Sequence, residues 1–329
     1  MNTRKIKLIN KEVSVIGMGC FAIGGPFGTP ENIYAYGEVN DDMSIRTIHK
    51  AIDMGVNLFD TADIYGYGRS ERVLGEALKE YRDDVVIATK FANVFNESEK
   101  KASGKNTSPN YIRYAVKESL RRLQTDYIDI YQLHSGNHDL EDALKIRDTL
   151  EELVDEGFIN SYGWSTDDVE KMSAFAKGNN CSSVQYALNV FHRNDLMVDL
   201  CNKQNITGLI RSPLASGTLT LKYTPETHDL PKDHMLSTVN FNSERFHKRH
   251  PKLIELKQLF QDHDRTLIQG LISWILSHDT NSIPIPGAKN LAQIEENAKV
   301  VELGPLNNTL KNHVDELVHD VLGSSIIKN

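Results

Sequence analysis

The sequence predicts an α/β protein folded as a (β/α)8 TIM barrel, with an N-terminal β-hairpin and long loops at the C-terminal face. Three observations carry this expectation. Short apolar runs alternate with stretches of helical periodicity along most of the 329 residues, and a βαβα repeat of this kind implies a parallel sheet. The core strands number eight when counted from the one ending near Gly17, which suggests closure into a barrel. Three successive strand ends then carry Asp60 with Tyr65 close behind, Lys90 and His134, at the edge where this architecture places its chemistry. Barrels of this length commonly form one unit, so residues 1–329 are expected to make a single domain.

Each element has a local reason. Ile6 and Leu8 lead into a polar Asn10-Lys11 turn, with Val13, Val15 and Ile16 beyond it, the pattern of a hairpin before the first core strand. Residues 24–41 are rich in Gly, Pro, Asn and aromatics and read as a long functional loop. Ile45, Ile48 and Ile52 recur at helical spacing until Gly55, and the strand Val56–Phe59 delivers Asp60. Val73, Leu74, Ala77 and Leu78 form the next helix, with Ser70 the expected N-cap. The strand Val85–Thr89 leads to Lys90, and Ser108-Pro109 supplies a capping residue followed by a proline for the helix through Ile112, Val116, Leu120 and Leu123. After the strand Tyr127–Leu133 and His134, apolar positions from Ala143 to Val154 mark a helix closed by Gly157. The remaining strands are expected at Ile159–Ser165, Ser183–Tyr186, Thr207–Ser212 and Ser282–Pro286. Leu214 to about Pro251 lacks periodicity and reads as loop. Helices are expected at Leu253–Phe260, Thr266–Ser277 and Leu310–Leu322.

Composition narrows the function classes. The apolar fraction of 40% suits an extensive core, and a net charge of −8 argues against a nucleic-acid binder. Three scattered cysteines, Cys20, Cys181 and Cys201, without C-x-x-C spacing, read as reduced thiols in a cytoplasmic protein. No apolar segment follows Met1–Lys5 as in a secretory leader, and no run is long enough for a membrane span. Twelve histidines form no H-E-x-x-H or Cys/His cluster, so no metal is expected. His247-Lys248-Arg249-His250 reads as a solvated basic stretch. Phe21, Phe27, Tyr34, Tyr36, Phe91 and Phe95 fall in or beside mouth loops, where aromatics line apolar pockets.

Gly17-Met18-Gly19-Cys20-Phe21-Ala22 fits the relaxed dinucleotide fingerprint G-x-G-x-x-G/A. That fingerprint requires its last small residue to open a helix, whereas Ile23-Gly24-Gly25-Pro26 follows here. The glycines are read instead as strand-end positions where backbone or ligand approaches closely. Asp60, Tyr65, Lys90 and His134 make a metal-free proton-donating set. A free tyrosine titrates near pH 10, and a neighbouring ammonium lowers that value, each unit being worth about 1.4 kcal/mol. Asp60 keeps Lys90 charged, and His134 orients a carbonyl or relays a proton according to its tautomer. The set suits protonation of an oxygen that gains negative charge, as when hydride reaches a carbonyl carbon. Asp63 reads as loop scaffolding.

Gly55–Gly66 with Ser70-Glu71 and Leu74-Gly75, Lys90 in Ala88-Thr89-Lys90, and His134 in Tyr131-Gln132-Leu133-His134 resemble the signatures of the aldo-keto reductases, nearly from end to end of the chain. The resemblance implies an NADPH-dependent oxidoreductase reducing aldehyde or ketone carbonyls to alcohols, reversibly. Hydride would come from nicotinamide C4, and the proton from Tyr65 with Lys90, Asp60 and His134 assisting. It implies NADPH/NADP+ extended across the barrel mouth without a Rossmann fold. Gly163-Trp164-Ser165-Thr166 is similar to the family's Gly-x-Ser-Asn, whose last two residues bind the carboxamide. Thr166 stands where the family has Asn. Gln185 matches the carboxamide-binding glutamine. Arg211 takes the position that stacks on nicotinamide, and Ser212, Pro213, Leu214, Ser216 and Gly217, with Lys222, would hold the pyrophosphate. Gly287, Lys289, Gln293, Glu296 and Asn297 resemble the adenosine-phosphate motif, with Gln293 where arginine is common.

The implied partner is a small carbonyl compound, with no nucleic acid and no membrane; oligomeric state has no signature. Two further readings are open: an NADP(H)-binding redox-sensing subunit with little turnover, such as those attached to potassium channels, and an aldolase using Lys90 as a Schiff base. The second conflicts with Asp60, which holds Lys90 protonated. Specificity is expected in the loops 24–41, 91–107 and 214–250.

Overall fold

A computed structural model describes residues 2–29, 32–136, 138–228, 230–231 and 234–322. Parts of the expected mouth loops (30–31, 229 and 232–233) and the ends of the 1–329 span lie outside the described residues. Eight parallel strands follow one another around a sheet in chain order: Met18–Gly19, Leu58–Asp60, Val86–Phe91, Ile128–Leu133, Ile159–Ser165, Cys181–Ala187, Thr207–Arg211 and Ser282–Pro284. The last strand returns to the first. Gly17 N–H donates to the Pro284 carbonyl at 2.9 Å and Gly19 N–H to Pro286 at 3.0 Å, and Gly19 bridges Gly287. This is the (β/α)8 fold, with helices between consecutive strands.

Glycine is required at the seam. A Cβ on Gly19 would lie 2.7 Å from the Ile285 carbonyl oxygen, and one on Gly17 would meet Leu58 at 2.8 Å. The fingerprint-like glycines therefore serve barrel closure. The segment after them makes one helical turn, Phe21–Gly24, where the sequence predicts none; Gly25 and Pro26 stop it there, too short for a dinucleotide-binding helix.

The N-terminal hairpin forms as expected, Thr3–Lys5 pairing with Glu12–Ser14. Its Ile6, Ile9 and Val13 pack with Leu58, Val86, Ala88, Ile130, Leu209 and Ile283. These are barrel-lining strand residues, so the hairpin plugs the N-terminal end. A second layer of core lies between strands and helices, where Ile48, Val73, Leu74, Val116, Leu120, Leu150 and Leu153 are buried. Ser108 caps Pro109–Leu123 by accepting from the Tyr111 N–H, as the sequence predicts.

Four expectations are corrected. Gly68, in a left-handed conformation, precedes the helix Arg69–Leu78; Ser70 is not its cap, because its hydroxyl donates to the Cys20 carbonyl and accepts from Thr61. Two mouth loops carry hairpins, Phe27–Thr29 with Asn32–Tyr34 and Asn93–Asn96 with Lys101–Lys105. The helix expected at Leu253 begins at Glu244 and runs through Pro251 to Gln261. The proline removes one donor without ending a helix anchored by Leu253, Leu256 and Phe260. On that helix Arg249 is not solvated: its guanidinium lies over the Phe191 ring and bonds to the Phe191 carbonyl at 3.0 Å.

Candidate active site

The parallel register brings the predicted residues to one level. Asp60 aligns with Ala88, and Lys90 with Gln132; Gln185 aligns with Ser165. Asp60 and Lys90 are buried, and such a charge pair survives only when its hydrogen bonds are complete. Lys90 Nζ donates to Asp60 Oδ1 at 2.6 Å and to the Thr61 carbonyl at 2.7 Å, with Tyr65 also bonded to it. Asp60 Oδ2 accepts from Gln185 at 2.7 Å and Gln132 at 3.1 Å. Burial opposes the Lys90 ammonium, but Asp60 and Tyr65 outweigh it and its pKa is raised. A Schiff-base role needs the opposite shift.

Tyr65 departs from the expectation that its pKa falls. Burial raises it; Lys90 pulls it down without reversing the direction. The phenol therefore stays protonated at neutral pH, and Lys90 lowers the cost of forming a phenolate there. The Tyr65 ring packs against Phe21 and Phe27, with centroids 5.1 and 5.5 Å away.

The orientation of the Asn93 amide sets the tautomer of His134. Its Nδ1 faces the Asn93 amide nitrogen at 3.2 Å. An amide nitrogen only donates, so Nδ1 accepts and the proton sits on Nε2. Burial, then Lys90, Lys105 and Arg211, depress the His134 pKa well below its usual value, so the ring is a neutral donor near neutrality.

A cavity of about 1430 Å3 runs from these groups along the barrel mouth. Asp60, Tyr65 and His134 line its floor; Lys90 lies beneath them. Ser165, Gln185, Arg211, Ser212, Pro213, Leu214, Ser216, Gly217 and Lys222 continue the lining, and Gly287, Lys289, Gln293, Glu296 and Asn297 stand farther along it. Thr166 is absent from the lining. Its hydroxyl donates to the Gly136 carbonyl at 3.2 Å and accepts from Asp168 N–H at 3.1 Å, so it is turned into the protein. Arg211 pairs with Asp167, and Asp167 in turn accepts from the Ala187 N–H.

The segment after the seventh strand is unusual in its backbone. Ser212, Ala215, Ser216, Gly217 and Leu221 all have positive φ, and backbone held this way presents N–H groups to anions. Lys289 Nζ bonds to the Tyr36 carbonyl at 2.8 Å, and the Lys289 N–H to Gln293 Oε1 at 2.9 Å.

Among the aromatics, Phe21, Phe27, Tyr34 and Tyr36 line the cavity. Phe91 instead stacks in the core on Tyr131 at 4.7 Å, and Phe95 packs toward Tyr67. Asp63 is buried, and burial with nearby Glu71 raises its pKa well above the usual carboxylate range; its N–H bonds to the Lys90 carbonyl. Sequence reasoning missed Asn93, Lys105, Gln132 and Asp167. Only Gln132 had a usable signal, since strand alternation puts it on the side of His134.

A strand-end Asp-Tyr-Lys-His set facing a long cavity in a (β/α)8 barrel defines a class, the barrel oxidoreductases. The chain belongs to the Aldo/keto reductase family, whose model matches residues 15–319. It is 32% identical to the aldo-keto reductase YhdN of Bacillus subtilis over 86% of this chain and 84% of that one. It is 28% identical to the aldo-keto reductase yakc [NADP(+)] of Schizosaccharomyces pombe, over 94% and 89%. The structure of the glycerol dehydrogenase AKR11B4 from Gluconobacter oxydans superposes with a TM-score of 0.84 at 28% identity, over 99% and 98%. Among the described residues no helix is long and apolar enough to cross a membrane.

Proposed function

We propose that this aldo-keto reductase uses NADPH to reduce aldehyde or ketone carbonyls to alcohols, reversibly, with Tyr65 as proton donor. The observation that carries the reading is the Tyr65 phenol, backed by the buried Lys90–Asp60 pair beside the neutral, Nε2-protonated His134 at the cavity floor. His134 would donate to the carbonyl oxygen and fix its direction. Tyr65 gives that oxygen its proton, and Lys90 stabilises the phenolate left behind. When bound, the dinucleotide supplies the hydride that the carbonyl carbon receives.

The lining suits such a group. Gln185 spends its amide nitrogen on Asp60, which leaves Oε1 to accept from a carboxamide, with Ser165 beside it. Arg211, steadied by Asp167, offers a planar face for the nicotinamide. The N–H groups of Ser212–Gly217 and the Lys222 ammonium suit a pyrophosphate. Gly287, Lys289 and Gln293 suit a 2′-phosphate, and Glu296 and Asn297 the adenine. The S. pombe relative named with NADP(+) supports this choice, and the three free, buried cysteines accord with a cytoplasmic setting. We treat residues 1–329 as one domain.

Purified protein, NADPH and a panel of aldehydes, followed at the cofactor's absorbance, test the reading. Wild type should turn over, and Tyr65→Phe should lose about 10²–10⁴-fold in kcat/KM, the range of general-acid catalysis, while still binding NADPH. Equal rates for the two would sink the role of Tyr65. Tight NADPH binding without turnover on any carbonyl would turn the reading to a redox-sensing subunit.

A further inference from the structure

Among the described residues, the carbonyl end of the cavity holds a positive charge that no carboxylate answers. Lys90 is bonded to Asp60 and Arg211 to Asp167. Lys105 also lines this end, and its ammonium has a different setting: it donates to the His134 backbone carbonyl at 3.1 Å. Burial lowers its pKa, and among the described residues it has no carboxylate partner. A lysine ammonium has three donors, and the bond to His134 uses one.

Its place is built rather than incidental. Lys105 ends the hairpin strand Lys101–Lys105 and is the cross-strand partner of Asn93. Asn93 is pinned at its carbonyl by the Tyr111 hydroxyl at 2.6 Å, while its amide holds the His134 ring. The same lining includes the aromatic rings of Phe21, Phe27 and Tyr36. A ligand with its carbonyl oxygen at Tyr65 and His134 would thus find aromatic surface along its body and an exposed cation beside it.

We propose that Lys105 is a specificity-determining residue and that the preferred substrates are aldehydes or ketones carrying an anionic group away from the carbonyl. This rests on the carbonyl-reductase reading of the same site. An anionic group would take the spare donors and the unanswered charge. A neutral substrate leaves the ammonium as it is.

The test compares NADPH oxidation by the whole protein with 4-carboxybenzaldehyde and with methyl 4-formylbenzoate, which share ring and carbonyl and differ in charge. Wild type, Lys105→Met and Lys105→Arg are measured with both. Lys105→Met should lower kcat/KM for the carboxylate about fivefold more than for the ester, chiefly through KM, as expected for one partly screened pair. Lys105→Arg should keep most of the preference, and added salt should shrink it in the wild type. If Lys105→Met slows both substrates equally, Lys105 only braces the His134 backbone and the proposal falls. It falls also if neither substrate is affected. If no protein oxidises NADPH with either aldehyde while the wild type turns over other carbonyls, the proposal falls and the reductase reading stands; if no carbonyl is turned over, both fall.

Discussion

The two ends of the cavity are built on different principles. At the carbonyl end, Asp60, Lys90, Gln132 and Gln185 stand on barrel strands, are buried, and bond to one another. Farther along, Lys222, Lys289 and Gln293 are exposed or half-exposed, and Lys289 bonds mainly to backbone, through Tyr36. The first end is part of the fold's own polar core, so its geometry is fixed before any ligand arrives. The second is a rim of cations and backbone N–H groups, suited to a large anionic ligand that brings its own charges. Activity and stability should therefore be coupled at the first end and separable at the second.

Asp60→Asn puts that coupling under the greatest stress. It leaves the buried Lys90 ammonium without its counter-charge, so we expect about 3–5 kcal/mol of lost stability, the usual result of breaking a buried pair, together with at least about a hundredfold loss of turnover. Urea unfolding and steady-state rates measure both, and a stable but inactive variant would break the coupling. Asn93→Asp is a gentler probe. A carboxylate at this point draws the His134 proton to Nδ1 and raises the ring's pKa. We expect kcat to drop about tenfold or more, with a new titration entering the pH–rate profile near neutrality. An unchanged profile would remove Asn93 from the mechanism.

At the far end, Lys289→Met should weaken NADPH about tenfold, as for loss of one charged phosphate contact. NADH affinity and the unfolding midpoint should barely move. Fluorescence titration with both dinucleotides decides it, and equal weakening of the two would show that Lys289 acts through its Tyr36 bond instead. The smallest effect concerns pH. His134 has a folded pKa below its unfolded value of about 6.5. Below that pH the unfolded chain binds a proton that the folded chain refuses, so stability rises with pH through this window and is lost as pH falls. His134→Asn should lose less stability than wild type between about pH 6.5 and 5. Parallel curves would contradict the depressed pKa.

Legibility in the sequence follows the same division. Asp60, Lys90 and His134 could be read because apolar runs end at them, with Tyr65 close behind Asp60, and strand ends in a parallel barrel must meet. Gly17 and Gly19 could be read as close-approach positions for a similar reason. Asn93, Lys105 and Asp167 could not, because each acts through a partner far along the chain or across a hairpin whose register the sequence does not reveal. Thr166 shows the limit of a motif: it keeps the place but turns its hydroxyl to Gly136 and Asp168. The helix starting at Glu244 was hidden by Pro251 and a run of charges, and it is the buried Leu253, Leu256 and Phe260 that hold it. Burial likewise decided the direction of the Tyr65 shift, and burial depends on the assembled barrel.

The meeting of the first and last strands has a consequence for any binding experiment. Gly19 and Gly287 join the barrel's two edges through backbone alone, and the same pair lines the cavity. The weld of the cylinder and the bed for a ligand are thus the same atoms. A side chain added at Gly19 would strike the Ile285 carbonyl and loosen both together. A lost affinity there would report a sprung joint as readily as a blocked seat, and only a melting curve taken alongside would tell which had given way.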